Sequence, residues 1–152
     1  MTVKVGINGF GRIGRCTLSH ISQSLRNDIE VVKVNATGPL ATAAHLIKYD
    51  SVHGRYPQNI TVGNRTLDLG RGEIEMFSTY NMDELDWSGC DVVLECTGNF
   101  NDGHKAKKHI EHGAKRVLLS APGKNVDKTV VFGVNDELMA ANDTMISNGS
   151  CT

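Results

Sequence analysis

The apolar positions of this chain fall into short blocks that switch between two periods. Val3, Val5 and Ile7 make a strand-like run, and Gly9-Phe10-Gly11-Arg12-Ile13-Gly14 follows it directly. From Ile13 the spacing becomes helical, through Leu18, Ile21 and Leu25, which predicts a helix over 12–25 ending at the Asn27-Asp28 turn. Residues 29–34 are almost continuously apolar, the pattern of a parallel strand covered on both faces. Strand, helix and strand close at Asn35 within the length of a right-handed crossover.

Residues 39–48 are again helical in character (Leu40, Ala43, Ala44, Ile47), and Pro39 is tolerated in a first turn. A polar loop with aromatic anchors is expected over 49–57. Between Asn59 and Phe77 the period falls to two, with turn clusters at Gly63-Asn64-Arg65 and Gly70-Arg71-Gly72. This reads as a short antiparallel insertion, suited to packing or subunit contact. Further strands are expected over 90–96, 115–122, 129–134 and 144–147, with helices over 102–112 (closed by Gly113) and 136–141. The whole reads as one α/β domain over 1–152: a doubly wound, mostly parallel sheet of Rossmann type carrying that insertion.

The first turn supplies the chemistry. Gly9, Gly11 and Gly14 have G-x-G-x-x-G spacing between a strand and a helix, the context that gives the motif its meaning. Gly9 lets the chain turn sharply, Gly11 lets a pyrophosphate approach the backbone, and Gly14 lets the helix pack closely. The first helical amides lack internal partners and favour a phosphate, and Arg12 and Arg15 add charge to the same turn. In a doubly wound sheet the residues beyond the strand ends face the ligand, which makes Thr97, Gly98 and Phe100 candidates for the lining. NAD-selective folds place an acid at the end of the second strand; here the residues are Asn35-Ala36-Thr37-Gly38, with none. The repulsion against a 2′-phosphate is therefore absent, and use of NADP as well as NAD is expected. The alternative is that Ala36 is a small turn residue and Asn35 holds the ribose.

Composition narrows the partners. Sixteen basic and seventeen acidic residues give a formal net charge of −1, which offers nothing to nucleic acid or an anionic membrane. No apolar run approaches the roughly 20 residues of a membrane span, and the N-terminus lacks a signal-peptide layout. Cys16, Cys90, Cys96 and Cys151 show no C-x-x-C spacing, which fits reduced thiols in a cytoplasmic setting. His104, His109 and His112 lie on the 102–112 helix; only the last two share a face, which reads as solvated and basic, and no metal set is expected.

Several stretches carry a resemblance running in order through the chain: residues 7–15 (INGFGRIGR), 48–54 (KYDSVHG), Glu95-Cys96-Thr97-Gly98, Ser120-Ala121-Pro122 and Ser147-Asn148-Gly149-Ser150-Cys151-Thr152. Together they resemble the phosphorylating glyceraldehyde-3-phosphate dehydrogenases, with erythrose-4-phosphate dehydrogenase a close relative. The resemblance implies that Cys151 is the thiolate that attacks an aldehyde to form a thiohemiacetal. Hydride then passes to the nicotinamide, and inorganic phosphate attacks the resulting thioester. It places Ser150 and Thr152 near substrate phosphates. It also assigns Asn8, Gly9, Phe10, Gly11, Arg12, Ile13, Asn35, Thr97, Gly98, Phe100 and Ser120 to the cofactor site, beside Gly14 and Ala36 from the motif itself. Three positions depart from the family pattern: Ala36 replaces the ribose-binding acid, Tyr80 falls where many members have Arg, and Gly149 replaces Ala.

The family's general base and phosphate-holding residues lie beyond Thr152. The expectation is a nucleotide-binding half that takes cofactor but needs the catalytic half for turnover, the complete enzyme being a homotetramer acting on glyceraldehyde 3-phosphate. Without that half, Cys151 is expected to titrate near ~8.5. The rival expectations are a stand-alone NAD(P)-binding module and a domain that self-associates through apolar surface.

Overall fold

In a computed structural model, which describes residues 1–150, the chain forms eleven strands and four α-helices. In order these are β1 (Val3–Asn8), α1 (Arg12–Gln23), β2 (Ile29–Asn35), α2 (Leu40–Lys48), β3 (Tyr49–Asp50), β4 (Gly54–Arg55), β5 (Thr61–Val62), β6 (Thr66–Asp68), β7 (Glu73–Phe77), β8 (Val92–Glu95), α3 (Gly103–Ala106), α4 (Lys108–Glu111), β9 (Arg116–Leu119), β10 (Lys128–Thr129) and β11 (Met145–Ser147). Nine strands make one sheet in the order β10-β11-β9-β8-β1-β2-β7-β6-β5. All neighbours from β10 to β7 are parallel, and only β6 and β5 join antiparallel. β7, the last strand of the insertion expected to be antiparallel, instead pairs in parallel with β2 and ends the parallel run. The run β7-β2-β1-β8-β9-β11 has the doubly wound order, in which the direction of winding reverses between β1 and β8.

The two faces of β1 explain its residues. Val5 and Ile7 are buried in a core with Leu18 of α1 and Ala44 and Ile47 of α2. Gly6 points the other way, where a Cβ would lie 2.7 Å from the Trp87 ring. Trp87 is fully buried and centres a second cluster with Phe77, Leu85, Cys90 and Val93. A third cluster sets Ala106 against Val117, Leu119 and Met145.

Several boundaries differ from expectation. α1 stops at Gln23 because its last carbonyls find other donors: Ser24 N–H and Oγ–H reach His20 and Ile21, and the Arg71 guanidinium also donates to Ile21 (2.8 Å). The 102–112 helix divides at Lys107 into α3 and α4, begins with Asp102 accepting from His104 N–H (2.9 Å), and ends at Gly113 with φ 107°. The polar loop of 49–57 contains the β3–β4 hairpin. The expected strand over 129–134 pairs at residues 128–129 and keeps one further bond, from Val130 N–H to the Ser147 carbonyl (2.9 Å); Asn135 then takes the Val131 N–H on its side chain and Gly133 adopts φ 79°, so the chain turns out of the sheet. The helix expected over 136–141 is a single 3-10 turn, Asp136–Leu138. Among the described residues, no helix is long and apolar enough to cross a membrane.

Candidate functional site

At the point where the sheet reverses, the carboxyl ends of β1, β2, β7 and β8 surround a cleft of about 260 Å³. Its lining includes Asn8, Gly9, Phe10 and Gly11 from the glycine turn, Asn35 and Thr37 after β2, and Thr97 and Phe100 after β8. The three glycines carry separate constraints. Gly9 holds φ 96°, and a Cβ there would sit 2.7 Å from Thr97 N. At Gly14 a Cβ would fall 2.2 Å from the Gly9 carbonyl oxygen, so helix and turn can approach only with no side chain. At Gly11 a Cβ would meet nothing within 4 Å. Open space over that residue, bounded by the first unpaired amides of α1, fits a pyrophosphate.

Beneath the cleft lies a polar row that runs across three strands. Asn8 is in register with Asn35 on one side and Glu95 on the other, and all three are buried. Asn35 Nδ2 donates to Asn8 Oδ1 (2.8 Å) and Asn8 Nδ2 donates to Glu95 Oε2 (2.7 Å). Glu95 Oε2 also receives His109 Nε2 (2.7 Å), and Oε1 takes the N–H and the hydroxyl of Thr97. At the far end Asn35 Oδ1 accepts from Thr79 N–H (3.1 Å). Burial raises the pKa of Glu95, but the donors from His109, Thr97 and Asn8 outweigh it and hold the carboxyl below its ordinary value. A buried charge is tolerable only when saturated in this way.

His109 overturns the expectation of a solvated helix face. It is 1% exposed, bonded to Glu95 and set edge-on to Trp87 at 5.7 Å. Among the described residues its Nδ1 has no hydrogen-bond partner. Sequence reading missed Glu95 and His109 as a pair, and the available signal was an acid at the end of a strand buried on both faces.

The remaining expected site residues distribute as follows. The Arg12 guanidinium pairs with Asp50 and touches His53 Nδ1 (3.1 Å), and Arg15 donates to the Phe10 carbonyl (2.8 Å). Neither arginine, nor Ile13 or Gly14, lines the cleft. The Arg12 donor, with the His53 and Val52 amides, holds Asp50 well below the usual carboxylate range. Cys16, Asp50 and His53 bring donor atoms within 4.8 Å of one another, but Arg12 already supplies the cation there. Asn35 borders the cleft with its amide spent on Asn8 and Thr79, so it has little left for a ribose. Gly98 turns at φ 77°, and Ser120 N–H donates to the Glu95 carbonyl (3.1 Å); both lie just outside the lining. Burial pushes the Cys96 thiol, which does line the cleft, up to about 11. Thr79, Tyr80, Met82, Leu85 and Asn99 complete the wall; Tyr80, one of the three positions that depart from the family pattern, lines it while staying largely exposed, and the others carry no motif of their own. Ser150 closes a tight turn onto the Asn148 carbonyl (2.9 Å), whereas Cys151 and Thr152 lie outside the described residues.

A parallel sheet in this strand order, a glycine turn with open backbone and a cleft at the reversal point define a Rossmann-type dinucleotide-binding domain. Residues 3–103 match the family described as glyceraldehyde 3-phosphate dehydrogenase, NAD binding domain, and the chain belongs to that family. It is 51% identical over 152 residues to a glyceraldehyde-3-phosphate dehydrogenase of Cereibacter sphaeroides and 51% identical over 154 residues to that of Xanthobacter flavus. It is 46% identical over 155 residues to glyceraldehyde-3-phosphate dehydrogenase 2 of Bacillus subtilis. The alignments take in 100% of this chain but only 46%, 46% and 45% of those relatives, so the chain spans about half their length.

Proposed function

We propose that the chain is the nucleotide-binding half of a phosphorylating glyceraldehyde-3-phosphate dehydrogenase and that it binds NAD across the cleft at the β1/β8 reversal. The observation that carries this reading is the open backbone at Gly11, set between the turn at Gly9 and the close helix contact at Gly14. The pyrophosphate belongs against the first amides of α1. The adenosine belongs to the β1-β2-β7 half, beside Ala36 and Thr37, and the nicotinamide to the β8 side, beside Thr97, Phe100 and Ser120. When bound, the cofactor supplies the hydride acceptor; the residues described above bind it, orient it and hold the floor beneath it rigid.

Cys151 is the proposed nucleophile toward glyceraldehyde 3-phosphate, with Ser150 and Thr152 beside the substrate and inorganic phosphate as the second acceptor. A catalytic half completes the site, and the complete enzyme is a cytoplasmic homotetramer. Ala36 removes the carboxylate that would repel a 2′-phosphate, so NADP is accepted beside NAD. Calorimetric titration of the chain with NAD and with NADP tests the reading. Binding in the micromolar range supports it, and no heat with either nucleotide refutes it. Ala36→Asp should move the preference toward NAD; an unmoved NAD/NADP affinity ratio would remove Ala36 from the ribose site.

A further inference from the structure

Ala36 is 6% exposed, and its N–H donates to the Phe77 carbonyl (2.9 Å). It forms the common wall of two adjoining open grooves. One, of about 260 Å³, joins it to Phe10, Gly11 and Thr42; the other, of about 400 Å³, joins it to Asn64, Arg65 and Ser78. No acidic residue lines either groove. The first leads back to the glycine turn, and the second leads outward to a guanidinium.

The state of that guanidinium sets it apart. Arg12 and Arg26 pair with Asp50 and Asp28; Arg15, Arg71 and Arg116 donate to carbonyls; and Arg55 stacks over the Tyr49 ring. Among the described residues, Arg65 alone of the seven arginines has neither an ion pair, a side-chain hydrogen bond nor a ring contact, and its side chain is exposed. Its backbone is nevertheless fixed, because its carbonyl accepts Met76 N–H (2.9 Å) and so anchors the β5–β6 turn beside β7. The exposed side chains of Asn64 and Ser78 likewise have no partner among the described residues. An open groove that runs from an acid-free ribose position to an exposed, uncommitted arginine, with the exposed amide of Asn64 and hydroxyl of Ser78 beside it, suits a phosphomonoester. Guanidinium forks match phosphate oxygens two at a time.

We propose that these adjoining grooves form a 2′-phosphate subsite for NADP in which Arg65 is the specificity-determining residue and Asn64 and Ser78 are the accompanying donors. This inference rests on the nucleotide-binding reading above. It goes further in assigning discrimination between the two cofactors to a turn of the antiparallel insertion, outside the glycine motif and outside the second strand.

The test is a set of titrations of the chain and of its Arg65→Gln and Arg65→Lys variants with NAD, NADP, 5′-AMP and 2′,5′-ADP. Arg65→Gln should lower the NADP:NAD affinity ratio roughly ten- to hundredfold, the scale of one charge-assisted bidentate contact. The 2′,5′-ADP:5′-AMP ratio should fall with it, which separates a 2′-phosphate effect from any effect on the nicotinamide end. Arg65→Lys keeps the charge without the fork and should lie between. Retained NAD binding in the variants shows that they are folded. Unmoved ratios in Arg65→Gln would overturn the inference, as would wild-type binding of NAD without NADP, and either result leaves the nucleotide site standing. Failure of the wild-type chain to bind any of the four would overturn the nucleotide-binding reading and the inference together.

Discussion

Glu95→Gln is the sharpest test of the polar row beneath the cleft. The wild-type carboxylate accepts four hydrogen bonds: the Thr97 N–H and hydroxyl on one oxygen, Asn8 Nδ2 and His109 Nε2 on the other. Glutamine keeps the shape but turns one acceptor into a donor. If its amide group faces His109, the imidazole can move its proton to the unpartnered Nδ1 and accept. Asn8 cannot adapt in the same way, because its Oδ1 is already held by Asn35. At least one buried N–H is left facing another donor, and the remaining bonds lose their charge. Relief of the cost of burying an ion offsets part of this. The net expectation is a loss of about 2–4 kcal/mol, a large share of the roughly 5–15 kcal/mol that holds a domain together. Urea unfolding at pH 7 can be followed by the fluorescence of Trp87, whose ring lies 5.7 Å from His109. The pH dependence has a definite sign. Because the folded pKa of Glu95 is lowered, its contribution is complete above the unfolded value and is lost as pH falls through the folded one. Wild-type stability should therefore decline in acid more steeply than that of the variant. A loss under about 1 kcal/mol at pH 7, with matching acid limbs, would refute the reasoning.

The glycine turn and the buried thiols give two further tests. Gly11→Val should leave stability nearly unchanged, since its Cβ meets nothing, while abolishing nucleotide binding measured by calorimetry. Gly14→Ala should do the reverse first, costing about 1–3 kcal/mol or more in urea unfolding, because its Cβ collides with the Gly9 carbonyl. Equal stability loss in the two variants would contradict the division of roles among the glycines. Burial pushes Cys90 and Cys96 up to about 11. At pH 8 only roughly one in a thousand of such thiols is thiolate, so iodoacetamide should modify both slowly in the native chain and quickly in urea, as peptide mass analysis would show.

What the sequence revealed was mainly local. Val3–Asn8, the glycine turn and the next strand were legible because period, turn chemistry and helix onset all occur within about thirty residues of one another. His109 was not. Its neighbours Lys107, Lys108 and Glu111 make a polar stretch, and what buries it is Glu95, fourteen residues back on a strand. Residues 130–134 failed for the opposite reason. Their β-branched run looks like a strand, but strand formation needs a partner at the right register, and the Asn135 side chain captures the Val131 N–H instead. Arg65 was visible only as part of a turn cluster, because its distance from Ala36 along the chain conceals the groove they share.

The fate of the arginines bears on how the cleft attracts phosphate. Arg12 and Arg15 are placed in sequence to charge the glycine turn, yet one is neutralised by Asp50 and the other is spent on the Phe10 carbonyl. The attraction at the turn then comes from amides and the dipole of α1, fixed partial charges that act within the first turn and are indifferent to which dinucleotide carries the pyrophosphate. Below them the row from Asn35 to His109 ties three strand ends together, so those amides need no reorganisation on binding. On the reading proposed above, a preference for NADP would draw on the acid-free position at Ala36 and on a full charge placed outside the glycine turn. Among the described residues bordering the adenosine side, Arg65 is the arginine with a charge not already committed to the fold.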